Sequence, residues 1–504
     1  MNQRMSGAML SYLLILVKLV VTLLFTPFML SSLGTEGYGL FALAGAMAAY
    51  LMILDFGMND AILRFFVAHE NDREKRDAFL GRMLSLYAVL AGLVLLAAVG
   101  FSTLAEPVFG ASNTPRQVEM LRVMFLYIGS GTAVLVALNP FGALLSATES
   151  FVFLRGLEIA STLVTTLALV AVLLAGYGPV EVVLVTASFT ALQALLRLGF
   201  AVLRIEVRVR LAWPALDELR SVGGYAAPIL LVIVAEAIFW KFDAILIGAL
   251  LGAAPVAVYA IGVTFNKYFM SFATAISRIM TPEIVRRIDA GADAETLTDL
   301  MIRISRAQAL VLLMILGGLI VFGEQFLTLW LGAEFAASYP VMLLVLVPYA
   351  LELTGNVRNI VLQVKGLYWY KSAITLGMAA LNIPLTVVLL KIWGVSGAAA
   401  STGLAVIAGY LVIAILLQRR VGIKMGRYWR ETWRGIFPAF AGLVAVGLVG
   451  ASYLPAGWIG LVMGSMLFAA AYLVAMLGLA ATQSERDLCR RAVRGALPGR
   501  RRHA

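Results

Sequence analysis

The chain has 504 residues, 62% of them hydrophobic and only 13% charged, with a formal net charge of +11. That balance excludes an ordinary soluble protein, and leucine-rich runs without strict alternation exclude an outer-membrane barrel. One cysteine (Cys489) and two histidines (His69 and His503) exclude a disulfide framework and a Cys- or His-based metal cluster.

In chain order, apolar segments predict an all-α polytopic membrane protein of about fourteen transmembrane helices, with both termini cytoplasmic. They lie near 8–30, 38–56, 80–103, 120–146, 156–176, 180–202, 223–250, 256–280, 303–322, 340–364, 371–393, 395–418, 434–453 and 457–480. All but seven of the 39 Lys and Arg fall in segments assigned to the cytoplasmic side; the exceptions are Lys18, Arg116, Arg122, Lys241, Lys267, Arg358 and Lys391. The positive-inside rule and attraction to anionic lipid account for that bias, so nucleic acid is not an expected partner.

An internal repeat is visible at an offset of 218: Leu33-Gly34 with Ala42 aligns without gaps to Leu251-Gly252 with Ala260. Transporter halves commonly descend from parallel repeats. The repeat predicts an N-lobe at 1–222, a C-lobe at 223–420, an appended helix pair at 421–480 and a basic cytoplasmic tail at 481–504.

No Walker loop, Gly-x-Ser-x-Gly elbow, His-Glu-x-x-His or acidic metal motif is present. The candidates are instead polar stripes inside spans, at steps of three, four or seven residues. Ser11, Lys18, Thr22 and Thr26 share one face of the first span. Lys18 sits roughly 15 Å into it, at 1.5 Å per residue. Thr132, Asn139 and Ser146 mark the fourth span, and Glu236, Trp240 and Asp243 the seventh. Thr264, Lys267, Ser271 and Thr274 mark the eighth. In the tenth, Glu352, Asn356 and Asn359 lie on one face and Arg358 on another. A lone hydroxyl or amide in a span is most simply packing glue. A charge at that depth costs roughly 2.5–3.5 kcal/mol on insertion scales, so it needs a partner or a wet cavity. The repeat register sets Lys18 opposite Glu236 as an ion pair between lobes.

Gly34-Thr35-Glu36-Gly37-Tyr38-Gly39-Leu40 with Asp55-Phe56-Gly57 resembles the N-terminal signature of polysaccharide flippases. The likeness continues through Asp243, Leu251-Gly252 and Tyr259-Ala260. It extends to Leu331-Gly332-Ala333-Glu334-Phe335 and Gly394-Val395-Ser396-Gly397-Ala398-Ala399, and covers about 1–420. These are the O-antigen and exopolysaccharide (Wzx-type) translocases of the MATE-like MOP exporter superfamily. The extra C-terminal pair is similar to that of the fourteen-span lipid II flippases.

The resemblance implies two six-helix lobes in a V and alternating access in the bacterial inner membrane. It also implies an undecaprenyl-diphosphate-linked glycan as cargo, with polysaccharide polymerase or assembly proteins as partners. Lys18, Lys267 and Arg358 would then supply cations for the diphosphate. Thr22, Asn139, Ser271, Asn356 and Asn359 would face the sugars. Asp55, Glu236, Asp243 and Glu352 are candidates for ion coupling to H+ or Na+, with no cofactor expected. The alternatives are a multidrug/cation antiporter or lipid II flippase of the same superfamily, and a membrane O-antigen polymerase or ligase. Short external connections count against the last of these.

Overall fold

The computed structural model describes residues 3–68 and 72–482; most of the basic tail, and His69 and His503, lie outside them. The first helix, α1 (Gln3–Met52), has 50 residues, more than twice what a bilayer crossing requires. It is broken at Gly34, whose φ of 69° and ψ of 174° no helix accommodates, so α1 carries both of the first two expected spans. Only a residue without a Cβ takes that φ at little cost.

The helices that follow are α2 (Met58–Ala68), α3 (Arg73–Phe109), α4 (Pro115–Ala137), α5 (Asn139–Ala147), α6 (Phe151–Leu174), α7 (Pro179–Arg204), α8 (Leu216–Leu250) and α9 (Ala253–Asp289). Then come α10 (Ala294–Leu331), α11 (Ser338–Thr354), α12 (Val357–Val364), α13 (Tyr368–Trp393), α14 (Val395–Arg420), α15 (Met425–Trp433), α16 (Ile436–Ala451) and α17 (Trp458–Ala475). No strand occurs among the described residues. Among the described residues, ten helices are long and apolar enough to cross a membrane, or eleven if α15 and α16, bent by 41°, form one span. The fourteen spans expected from the sequence are not all reached on length and composition. Two of them share α1, and α8 and α9, which carry Glu236, Lys241, Asp243 and Lys267, are not in the count.

The backbone carries the 218-residue repeat further than the sequence did. Gly34 and Gly252 both hold positive φ, as do Gly176 and Gly394 at the same spacing. The fourth span breaks at Leu138, between α4 and α5, and the tenth breaks at Asn356, between α11 and α12. These positions are again 218 apart. Each break releases a short helix of eight or nine residues. Interrupted helices at matching places in two halves are characteristic of repeat-built transporters.

The chain folds into two compact units. One comprises Met1–Ile261 with Thr375–Thr402. Its core packs Phe66, Leu80, Met83, Tyr87, Val94, Val136 and Leu144. Thr114 and Gln117 form a reciprocal cap at the start of α4, with Pro115 at the first helical position. The turn before it serves a second helix: the Asn113 amide donates to the Gly248 carbonyl at 2.9 Å, and Ser112 donates to Ala249. Both acceptors belong to the last turn of α8, where carbonyls have no intrahelical partner. Gly39 is packed so closely on α9 that a Cβ would lie 1.9 Å from the Ala253 carbonyl oxygen.

The other unit comprises Gly262–Ile374 with Gly403–Ala504. Its core includes Ile284, Leu297, Met301, Val357, Leu362, Leu417 and Tyr428. Buried Arg306 on α10 donates to the carbonyls of Glu431 (2.9 Å), Thr432 (3.3 Å), Arg434 (3.1 Å) and Ala480 (2.6 Å). One guanidinium thus caps α15 and the short helical turn Met476–Ala480 that follows α17. Arg427 on α15 reaches Glu295 at 3.0 Å and Asp299 at 2.8 Å. Lys424 and then Arg427 hold the Glu295 carboxyl below the usual carboxylate range. A carboxyl lowered on folding stabilises the fold above its unfolded pKa. The tie therefore holds at neutral pH and is lost as pH falls into the acid range.

Elsewhere the surface is the inverse of a soluble protein's, with Leu24, Leu96, Leu203, Val474 and Leu479 all largely exposed. Such faces are in equilibrium with lipid rather than water.

Two substitutions in the same helix test the close approach at Gly39. Gly39→Ala is expected to destabilise by about 1–3 kcal/mol through overpacking. Gly45→Ala, where a Cβ meets nothing within 4 Å, should be neutral or up to about 1 kcal/mol stabilising. Thermal melts of the two detergent-purified variants make the comparison.

Candidate functional site

A polar cavity of about 430 Å³ opens in the first unit where α1, α6 and α7 meet. Its lining is Lys18, Glu158, Ser161, Thr162, Thr165, Thr166, Gln193 and Arg197. The arrangement follows from helical periodicity. Glu158, Ser161, Thr162, Thr165 and Thr166 recur at three and four residues along α6, so they form one stripe. Gln193 and Arg197 are one turn apart on α7, and Lys18 with Thr22 is one turn apart on α1. A span with this much polarity on one face, and Leu163, Val164 and Leu167 exposed on another, is amphipathic within the membrane.

Hydrogen bonding sets what the stripe offers. Thr162 donates to the Glu158 carbonyl and Thr166 to the Thr162 carbonyl, each at 2.7 Å. Thr22 donates to the Lys18 carbonyl at 2.8 Å. With their protons committed to the backbone, these hydroxyl oxygens present lone pairs, which suit the O–H groups of a saccharide. Gln193 adds both a donor and an acceptor.

The charges are unevenly paired. Arg155 Nη1 lies 2.9 Å from one Glu158 oxygen, whereas Arg197 Nη2 lies 3.9 Å from the other. The Arg197 Nε is buried without a hydrogen-bond partner among the described residues. Lys18 is exposed and forms no ion pair among the described residues, with Glu236 or any other carboxylate. Glu236 is exposed too. A dry apolar wall would penalise Lys18 by a few kcal/mol, so an aqueous cavity is the environment that permits its charge.

The remaining expected residues lie elsewhere. Asn139, at the start of α5, donates to buried Asp55 at 2.8 Å. Lys267, Ser271, Asn356, Asn359, Glu352 and Arg358 belong to the second unit. Lys267 is exposed, and its carbonyl accepts from Ser271 at 2.8 Å. Asn356 donates to Ser277 at 3.1 Å and accepts from Asn359 at 2.8 Å. That side-chain network lies at the break between α11 and α12.

Arg358 is not a cavity cation. It is 1% exposed, donates to the carbonyls of Gly355 (2.9 Å) and Glu352 (3.1 Å), and its guanidinium sits 4.0 Å from the Tyr410 ring centroid. Each carbonyl also accepts a backbone N–H, Glu352 from Gly355 (3.1 Å) and Gly355 from Arg358 (2.9 Å), so the guanidinium adds a second donor at the α11 terminus together with a cation–π contact.

Asp243 occupies a second polar centre in the first unit. It is 1% exposed and has no ion-pair partner among the described residues. Its carboxylate accepts from Tyr259 (2.8 Å), Thr386 (2.9 Å), Asn382 (3.2 Å) and Thr402. Ser401 is hydrogen-bonded to Thr386. Burying an ionised carboxylate costs several kcal/mol. Four hydrogen bonds to a charged group, at roughly 1.5–3 kcal/mol each, offset that cost. The donor set is a single carboxylate with neutral oxygens from Tyr, Thr, Ser and Asn. Such a set suits a proton or a hard monovalent cation, as one carboxylate alone brings too little charge for a tight divalent site.

Comparison with known proteins adds family context. The profile described as "Polysaccharide biosynthesis protein" matches residues 5–286. The "Uncharacterized membrane protein EpsK" of Bacillus subtilis (strain 168) is 24% identical over 339 residues, and the chain spans 65% of that relative's length, with 65% of its own length aligned. Among solved structures, the lipid II flippase MurJ in an inward closed conformation superposes with a TM-score of 0.73 at 12% identity. That match covers 95% of this chain and all of that one. An inward-facing multidrug resistance MATE family transporter of the MOP superfamily gives 0.63 at 15% identity, covering 81% of this chain and 94% of the other. The fold is therefore that of MurJ and the MATE transporters.

The placement of Arg358 predicts a structural defect. Arg358→Ala should lower stability by about 2–4 kcal/mol, from two lost side-chain hydrogen bonds, a lost cation–π contact and the cavity left by a fully buried side chain. The loss would be read as a fall in melting temperature and in folded yield.

Proposed function

For a chain that belongs to the polysaccharide biosynthesis protein family, we propose translocation of an undecaprenyl-diphosphate-linked oligosaccharide across the bacterial inner membrane. The observation that carries the reading is the cavity in which Lys18 and Arg197 stand beside a ladder of hydroxyl oxygens. A diphosphate diester is a dianion, and a guanidinium meets phosphate oxygens in a two-point fork while an ammonium meets them as a point charge. The sugars nearest the diphosphate meet Ser161, Thr162, Thr165, Thr166 and Gln193. The chain acts as a transporter in this reading, which its likeness in fold to MurJ and a MATE transporter supports.

Movement follows alternating access of two six-helix lobes, 1–222 and 223–420, with 421–480 as an appended pair and both termini cytoplasmic. Lys267 belongs on the cargo path as a further cation. Asp243 is the coupling group: its hydroxyl and amide partners surround the carboxyl with oxygens, and a proton or Na+ ion binding there changes the charge of the centre. Exchange of those partners would pull on α8, α9, α13 and α14 together. Cytoplasmic glycosyltransferases supply the cargo and a polymerase or ligase consumes it outside.

Two variants test this function in cells. Arg197→Ala and Lys18→Ala are each expected to reduce glycan export at least tenfold, with normal amounts of protein in the membrane. Wild-type export by both would remove the cavity from the cargo path. Asp243→Asn should fold, because it keeps its size, its oxygen accepts from Thr386 and Asn382, and its NH2 donates to the reoriented Tyr259 and Thr402 hydroxyls; it should nonetheless lose ion-driven export. Gradient-dependent export equal to wild type would exclude Asp243 as the coupling group. A cationic drug as cargo would instead show as resistance in an efflux-deficient host.

A further inference from the structure

Glu158 is out of place in a site for an anion. It is the one carboxylate in the cavity lining, it is only about one-fifth exposed, and it stands between Arg155 and Arg197. Packing alone does not require it, because the neighbouring positions of the stripe are hydroxyls.

Its two contacts are unequal. The 2.9 Å pair with Arg155, one helical turn away, holds the carboxylate on α6. The 3.9 Å approach to Arg197, across to α7, is at the outer limit of an ion pair. Arg197 is thus loosely compensated, with its Nε buried and unpartnered among the described residues. Such a guanidinium has a strong pull for any better-placed oxyanion.

Formal charge sharpens the point. Lys18 and Arg197 of the lining, with Arg155 outside it as the close partner of Glu158, leave this group of three cations and one carboxylate at +2. A diphosphate diester carries −2. Without Glu158 the site would hold one cation in excess of its ligand, and a transporter's site must release what it binds.

We propose that Glu158 is an internal stand-in for the cargo's diphosphate, yielding Arg197 to the incoming headgroup and taking it back as the headgroup leaves. The inference rests on the cavity being the diphosphate site. It assigns Glu158 the role of setting affinity and release, distinct from the cations that make the attraction. No bond forms or breaks in the exchange; one ion pair replaces another.

The test is binding by the purified full-length protein in detergent micelles, with farnesyl diphosphate and inorganic pyrophosphate as separate probes. Glu158→Gln keeps the shape and removes the charge. It is expected to bind farnesyl diphosphate roughly tenfold tighter than wild type and to turn over more slowly once reconstituted. Glu158→Asp, which keeps the charge, should stay near wild type. Equal or weaker binding by Glu158→Gln at an unchanged melting temperature overturns the proposal, as does an equal gain by Glu158→Asp. A matching gain with pyrophosphate supports the proposal and assigns recognition to the diphosphate alone. A gain confined to farnesyl diphosphate supports it with the lipid-borne headgroup as ligand. Arg197→Ala separates the two levels: loss of binding there with no change in Glu158→Gln defeats only the stand-in role. Wild-type binding by Arg197→Ala defeats the cavity as the diphosphate site.

Discussion

The cost of leaving a charge in hydrocarbon governs where everything else in this protein can be. Each intramembrane charge meets it differently. Asp243 collects four hydrogen-bond donors, Arg358 and Arg306 collect backbone carbonyls at helix ends, and Lys18 and Arg197 face a cavity. The first two solutions are closed within the protein, with the partners supplied by its own side chains and carbonyls. The third is open, and an open cationic cavity with unspent donors is the place where a ligand's charge is worth most.

The helix breaks belong to the same logic. A backbone that leaves helical geometry inside a membrane exposes N–H and C=O groups that lipid cannot serve. At the break before Asn356, the side chains of Arg358, Asn359 and Ser277 serve them or one another. At the break at Leu138, Asn139 turns to Asp55. Breaks at the same register in two repeats are built features of the fold. They also explain why a short helix follows each break and why asparagine recurs there.

Much of this was legible in the sequence. Apolar run length pointed to the helical class, Gly34 and Gly252 to the repeat, and the depth of Lys18 to one wall of the cavity. Asp243 was recognisable as a buried carboxylate from its position in a span. Its partners Asn382, Thr386 and Thr402 were not, because they come from helices about 140–160 residues away. Arg358 misled because periodicity reports the face a residue occupies but not how far its side chain curls back to its own helix terminus. Arg197 was hidden by its nearness to a cytoplasmic basic run, and the α6 stripe by the ordinariness of single threonines. The signal for both was present: five polar residues at three- and four-residue steps from Glu158 to Thr166, and a glutamine one turn before the arginine.

The central claim is that cargo passes over the α6 stripe. Photocrosslinking from a benzophenone side chain at Thr165, in cells making a radiolabelled lipid-linked glycan, tests it most directly. The predicted result is a labelled adduct from Thr165 that is absent from Leu167, which is exposed on another face of the same helix. Equal labelling at both positions, or labelling at Leu167 alone, would contradict the assignment of this cavity to the glycan path.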